Sequence, residues 1–127
     1  MKYVTEYDAD TGICTVTVTG RHRRPDDSVE LQQYAREFGS KNDCSRFLVD
    51  MTQAEIVGST MDAYKTGTVP GDTDNKQGMQ RVALVYAGDI REHKFLENVA
   101  VNRGYQVRVF DRIDIATEWL TTHEQGD

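Results

Sequence analysis

Two hydroxyls and a carboxylate stand out in the stretch from Arg46 to Tyr64, RFLVDMTQAEIVGSTMDAY. A short apolar run ends in Asp50, and eight residues later Gly58-Ser59-Thr60 opens a segment of helical character. A carboxylate at the end of an apolar strand sits where α/β folds place functional groups. It can also simply accept backbone N–H bonds from the turn that follows, as short acidic side chains do. No partner of catalytic type stands near Asp50 in the pattern, so the second role is the expected one. Ser59 and Thr60 have two chemistries open to them as well. A hydroxyl at a helix start is a candidate phosphoacceptor, because a phosphate there meets backbone N–H groups and the positive end of the helix dipole. It is also a helix N-cap: Ser59 lies three residues before Asp62, which places an acid at the third helical position, and such a cap is worth about 1 kcal/mol. Caps are common, so the pair is read as a helix start first and a switch second.

The remaining reactive side chains form no motif. Asp72-Thr73-Asp74 resembles the start of a calcium loop, but Lys76 stands where a third oxygen ligand is wanted, the glycine comes one position late and no Glu closes the loop. His93 and Glu97 have the i, i+4 spacing of two metal ligands, yet no third ligand is in view, and a solvated pair is expected. His22 and His123 fall in a loop and in the tail. Cys14 and Cys44 have neither metal nor redox spacing; Cys14 sits in an alternating pattern and reads as a small core hydrophobe, with a reducing compartment implied and a single bridge left open. No Ser, Cys or His falls in a nucleophile motif, and no glycine pattern cradles phosphate. The expectation is a protein that is not an enzyme, with no cofactor and no metal site.

Composition narrows the partners. The 127 residues, 38% hydrophobic and 28% charged, suit a single soluble domain over 1–127 with a frayed tail at 121–127. A formal net charge of −6 argues against nucleic acid, which is gripped by clustered Lys and Arg. The one basic cluster, Arg21-His22-Arg23-Arg24, runs directly into Pro25-Asp26-Asp27 and reads as a solvated loop. The opening MKYVTEYDAD is too polar for a signal peptide, and no window approaches the roughly 18 apolar residues of a spanning helix. A cytoplasmic protein without membrane insertion is expected.

These residues must be held by a regular framework. YVTEY and ICTVTVTG read as a hairpin around DADTG, with Cys14, Val16 and Val18 on one face and Thr15, Thr17 and Thr19 on the other. Pro25 opens a helix with Leu31, Ala35 and Phe38 as its buried stripe, and Gly39 marks its stop. RFLVDM is a short strand. RVALVYAGD lacks alternation and reads as a central strand covered on both faces. Asp89 and Glu92 form a capping-box-like pair before a helix that buries Phe95, Leu96, Val99 and Ala100 and stops at NRGY. YQVRVF alternates and is placed towards a sheet edge. Asp111 caps a last helix with Ile113, Ala116 and Leu120 on one stripe and Ile115 and Trp119 beside it, Trp119 largely buried. The run Lys65 to Gln80 has no period and is long for a structureless connection, which suggests a functional or disordered loop. Strands alternating with helices imply an α/β domain: a mixed, mostly parallel sheet of four to five strands, an N-terminal antiparallel hairpin and four helices.

Along YDADTGICTVTVTG, CSRFLVDMTQAEIVGSTMDAY, RVALVY and HKFLENVAVNRGYQVRVFDRIDIATEWL the chain resembles the SpoIIAA-like proteins of the STAS superfamily. It is most similar to the bacterial branch described only as STAS-like or lipid-transfer-like domains of unknown function, and the resemblance runs from Tyr3 to Leu120. It implies a non-catalytic regulatory or interaction module with a protein partner. In regulatory members of the superfamily, a serine at the start of the second helix takes a phosphate from a partner kinase, and the phosphorylated form releases that partner. The usual pattern has Asp before the serine pair and Gly after it. Here Gly58 precedes Ser59-Thr60 and Met61 follows. The interaction surface is expected around Asp50, Val57, Gly58, Met61 and Tyr64, with the long loop after it. Two other readings stay open: a carrier or sensor of a small apolar or lipid-like ligand between sheet and helices, its cavity lined by Met51, Met61, Met79 or Phe95, and a structural homodimer formed through half-polar edge strands.

Overall fold

The computed structural model describes residues 2–23, 26–58, 81–91, 93–94, 97 and 106–121. Within them five strands form one sheet in sequential order: β1 (Lys2–Asp8), β2 (Ile13–Arg23), β3 (Arg46–Val57), β4 (Arg81–Val85) and β5 (Val107–Phe110). β1 runs antiparallel to β2, and β2 to β5 are mutually parallel. Two helices are described, α1 (Asp26–Lys41) and α2 (Ile113–Thr121). Four were expected. The helix expected after Ser59 lies outside the described residues. Of the helix expected after Asp89 only Lys94 and Glu97 are described as helical. The residues 122–127 also lie outside, while Thr121, expected in the tail, closes α2.

The hairpin forms where the sequence places Asp and Gly. Asp8 Oδ1 accepts the Asp10 N–H at 2.9 Å, and the Gly12 N–H reaches the Asp8 carbonyl at 2.8 Å. Gly12 has φ of 74°, a left-handed conformation that costs a residue without a side chain little. Past the turn, Cys14, Val16 and Val18 of β2 are fully buried on one face. With Phe47, Val49, Val82, Leu84, Val107 and Val109 they make the larger core, onto which α1 packs Leu31 and Ala35. The opposite face carries a second core of Ile13, Leu48, Ala83 and Val85 under Ala116 and Leu120 of α2. Helices thus lie on both faces, and β4, buried along its whole length between β3 and β5, is an interior strand as its unbroken apolar run requires.

Four details depart from the sequence expectation. α1 does not stop at Gly39. It runs to Lys41 and ends with Asp43 at φ 53°, the Asp43 N–H bonded to the Ser40 carbonyl and the Cys44 N–H to the Gly39 carbonyl, the paired bonds of a Schellman ending. Gly39 is needed for a different reason: a Cβ there would lie 2.4 Å from Phe47 Cζ and 2.6 Å from the Cys44 carbonyl oxygen. β2 and β3 are also longer than the expected Ile13–Gly20 and Arg46–Met51. At Thr17 to Thr19 their register slips, two steps on β2 facing three on β3 from Asp50 to Gln53. That extra residue changes the phase of β3: Phe47, Val49 and Met51 face the larger core before the bulge, and Ala54 and Ile56 pack on it afterwards. Finally, the stripe of α2 is narrower than expected. Ala116 and Leu120 are buried and Trp119 is half-buried, but Ile113 and Ile115 are 42% and 43% exposed.

Below the sheet, at the amino ends of the parallel strands, Arg46 and its register partner Arg81 donate to the last carbonyls of α2. Arg46 Nη1 reaches Leu120 O at 3.0 Å and Arg81 Nη1 reaches Trp119 O at 2.8 Å. α2 has no basic residue in its own last turn. The two strand arginines supply the positive charge that its carbonyl end favours, and Arg81 also lies 5.3 Å over the Trp119 ring.

Candidate functional site

The carboxyl ends of the four parallel strands share one edge of the sheet, as does the start of each described helix. β4 stops pairing with β3 at Asp50↔Val85, but β3 continues beside β2 to Arg23↔Val57. A two-stranded ribbon, Thr19–Arg23 against Gln53–Val57, therefore reaches beyond the end of β4. It ends at Val57, 38% exposed, and Gly58, whose φ of 97° bends the chain away from the strand. Ser59, Thr60, Met61 and Tyr64 follow and lie outside the described residues, as does the Lys65–Gln80 run.

Asp50 is not part of this rim. It lies seven residues before the end of β3, at the bulge, and is buried. Its Oδ1 accepts both the Thr52 N–H at 3.0 Å and the Thr52 hydroxyl at 2.6 Å. A bulge leaves a backbone group without its ladder partner, and the Asp50 carboxylate takes up the amide at that point. The strand ends later than expected because TQAEIV resumes an alternation that the bulge returns to the core face.

Where the ribbon meets α1, charged side chains pair with one another. Arg21 and Glu55 lie across the ribbon at 3.7 Å. Asp27, in the first turn of α1, accepts the Arg23 N–H at 2.7 Å and its Nε at 3.3 Å. Burial pushes the Asp27 carboxyl upward, but the Arg23 backbone and side-chain hydrogen bonds outweigh it, helped by the charges of Arg23 and His22, and the net direction is down. The expected solvated loop at Arg21–Arg23 is in fact strand, with His22 only 2% exposed between the two outward arginines. The signal for this was the continued alternation after Gly20, with one inward residue between two charges.

A cleft of about 450 Å³ opens here, lined by Tyr3, Arg21, Arg23, Asp27 and Glu30. The Tyr3 ring lies 4.7 Å from that of Tyr34, and its hydroxyl is buried with no hydrogen-bond partner among the described residues. Burial above all, then the nearby Glu30 and Asp27 carboxylates, pushes the phenol up to about 12. It stays protonated at neutral pH and offers no base or nucleophile. A lining of charges and one phenol is also the opposite of what an apolar carrier needs; of the expected cavity residues, Met51 is packed in the larger core, and Met61, Met79 and Phe95 lie outside the described residues.

The other sequence candidates have separate partners. His93 stacks on Tyr86 with centroids 3.9 Å apart, while Glu97 pairs with Lys94 at 3.1 Å and accepts the Val109 N–H at 3.2 Å. Cys14 and Cys44 are free and buried, Cys44 Sγ donating to the Gly12 and Arg46 carbonyls, each at 3.2 Å. Burial, then the hydrogen bond with Cys44 and its proximity, pushes the Cys14 thiol up to about 12, so it is not a reactive thiolate.

No protein-family model and no curated protein matches the sequence. Solved structures do match. An uncharacterized protein of the DUF3478 family with a SpoIIAA-like fold, from Shewanella loihica PV-4, superposes with a TM-score of 0.52 at 18% identity, over 94% of this chain and 92% of its own. An anti-sigma factor antagonist from Mycobacterium paratuberculosis superposes with a TM-score of 0.59 at 14% identity, over 95% and 94%. Both likenesses span nearly the whole of each chain. The chain has a SpoIIAA-like fold.

Proposed function

We propose that the chain is a non-catalytic regulatory or protein-interaction module, and that it meets a protein partner at the end of the β2–β3 ribbon. The observation that carries this reading is the ribbon itself. It projects past β4 and presents an exposed Val57 and the bend at Gly58, immediately before Ser59, Thr60, Met61 and Tyr64. The likeness in fold to an anti-sigma factor antagonist supports a binding role. So does the state of the nearby titratable groups: Asp27 is held by Arg23, Arg21 by Glu55, and Tyr3 is kept protonated, an arrangement that stabilises rather than reacts. In this reading the surface works without a phosphate on Ser59.

Affinity capture from cell extract with four proteins tests this reading: the wild type, Val57→Lys, Ser59→Asp and an Ile113→Lys control on exposed α2. Val57→Lys should lose partners that the other three retain, with melting temperatures unchanged. Retention of the same partners by Val57→Lys would remove the ribbon end from the interaction surface. A loss confined to Ser59→Asp would restore the phosphate switch.

A further inference from the structure

The two edges of the sheet are treated differently. On β5, the outward Val109 N–H is taken by Glu97 Oε1 at 3.2 Å, and Arg108 reaches the same carboxylate at 3.9 Å. A charged side chain laid along an edge strand keeps another strand from adding to it. β1 carries no such cover from a described strand. It is seven residues long and pairs, among the described strands, with β2 alone. Its sequence, KYVTEYD, is also arranged symmetrically: Thr5 at the centre, Tyr3 and Tyr7 on either side, a base at one end and an acid at the other.

We propose that β1 pairs antiparallel with β1 of a second copy of this chain, in register about Thr5, joining the two sheets into one. A two-fold axis perpendicular to the sheet places residue pairs of the same parity opposite each other, so each face of β1 meets its own counterpart. On the face shared with α1, Tyr3 meets Tyr7 twice and Thr5 meets Thr5; the first of these residues already packs against the larger core. On the other face Lys2 meets Asp8 at both ends, and Val4 meets Glu6. Aromatic, threonine and opposite-charge pairs are the cross-strand combinations that stabilise antiparallel strands. Shifting the copies by two residues to centre on Glu6 sets Glu6 against Glu6. Centring on Val4 leaves Asp8 outside the paired strands. The Thr5 register alone uses both charged ends. The area is that of a single strand pair and each chain carries a net charge of −6, so the dimer is weak and concentration-dependent. β1 and the Val57–Gly58 rim are separate surfaces, and failure of this proposal leaves the partner-binding reading as it stands.

Val4 is 57% exposed, so changing it leaves the fold intact while altering the face opposite Glu6 of the other copy. Sedimentation equilibrium over rising concentration should show the wild type moving from the 14.4 kDa monomer towards twice that mass. Val4→Lys, placed opposite Glu6, should tighten the dimer, and Val4→Glu should loosen it, each by roughly tenfold from two altered cross-strand pairs. Melting temperatures of dilute samples confirm that both variants are folded. A wild type that stays monomeric, or a dimer indifferent to both changes, overturns the proposal. A dimer loosened by both overturns the Thr5 register, since like charges would then be meeting at Val4 itself.

Discussion

At the scale of single residues, two buried carboxylates, Asp50 and Asp27, perform structural work where position alone would suggest chemistry. Asp50 accepts both donors of Thr52 at the β3 bulge, so the variants Asp50→Asn and Asp50→Ala should separate. The asparagine retains a side-chain oxygen for the amide. The alanine leaves a buried N–H without a partner, at a cost of about 1–3 kcal/mol. Chemical denaturation checks this, and two variants as stable as the wild type would show that the carboxylate is not what holds the bulge. Asp27 answers a pH question. Its folded-state pKa is depressed, mainly through Arg23, so the stability it contributes is fully present above the ordinary aspartate range near about 3.9 and is lost as pH falls through the folded value. Wild type should therefore exceed Asp27→Asn in melting temperature at neutral pH, and the two should converge on acidification. A gap that widens in acid would contradict the assignment.

At the scale of elements, α1 and β3 press closely together at Gly39. Ala has a helix propensity about 1 kcal/mol better than Gly, and Gly39 lies inside α1, so propensity alone predicts that Gly39→Ala stabilises. The contact with Phe47 and the Cys44 carbonyl predicts the reverse, a net loss of about 1–3 kcal/mol from overpacking. A thermal melt decides the sign. This point also shows where the sequence was legible and where it was not. A glycine near the end of a helical stripe looks the same whether it serves as a left-handed terminator or as a place for a ring to press against the backbone; only the position of Phe47 distinguishes them. The strand interiors were easier, because RVALV, buried on both faces, leaves an unbroken apolar run. The bulge was hard, since its signal in DMTQAEIV is a change of phase by one residue. Ile113 and Ile115 have the spacing of a broad core stripe, whereas the contact of α2 with the sheet is carried by Ala116, Leu120 and part of Trp119.

At the scale of the whole molecule, the strand order follows the sequence order, and all four parallel strands point their carboxyl ends at one rim. The opposite rim is committed to stability, with Arg46 and Arg81 closing the end of α2. The order of the described strands and the N-terminal hairpin were readable from strand alternation, the unbroken apolar run of RVALV and the Asp and Gly of the turn. The candidate site was less readable: Val57 and Gly58 stand at the rim while Asp50 is buried at the bulge, and the cleft of Tyr3, Arg21, Arg23, Asp27 and Glu30 depends on a strand extension whose one signal is the alternation that continues after Gly20. If the projecting ribbon is what a partner meets, amide hydrogen exchange of the complex reports it directly. Binding should slow exchange in Gln53 to Tyr64 and leave α2 and the amino ends of β3 to β5 unchanged. Protection confined to α2 or to the strands' amino ends, with the ribbon exchanging as in the free protein, would contradict the account.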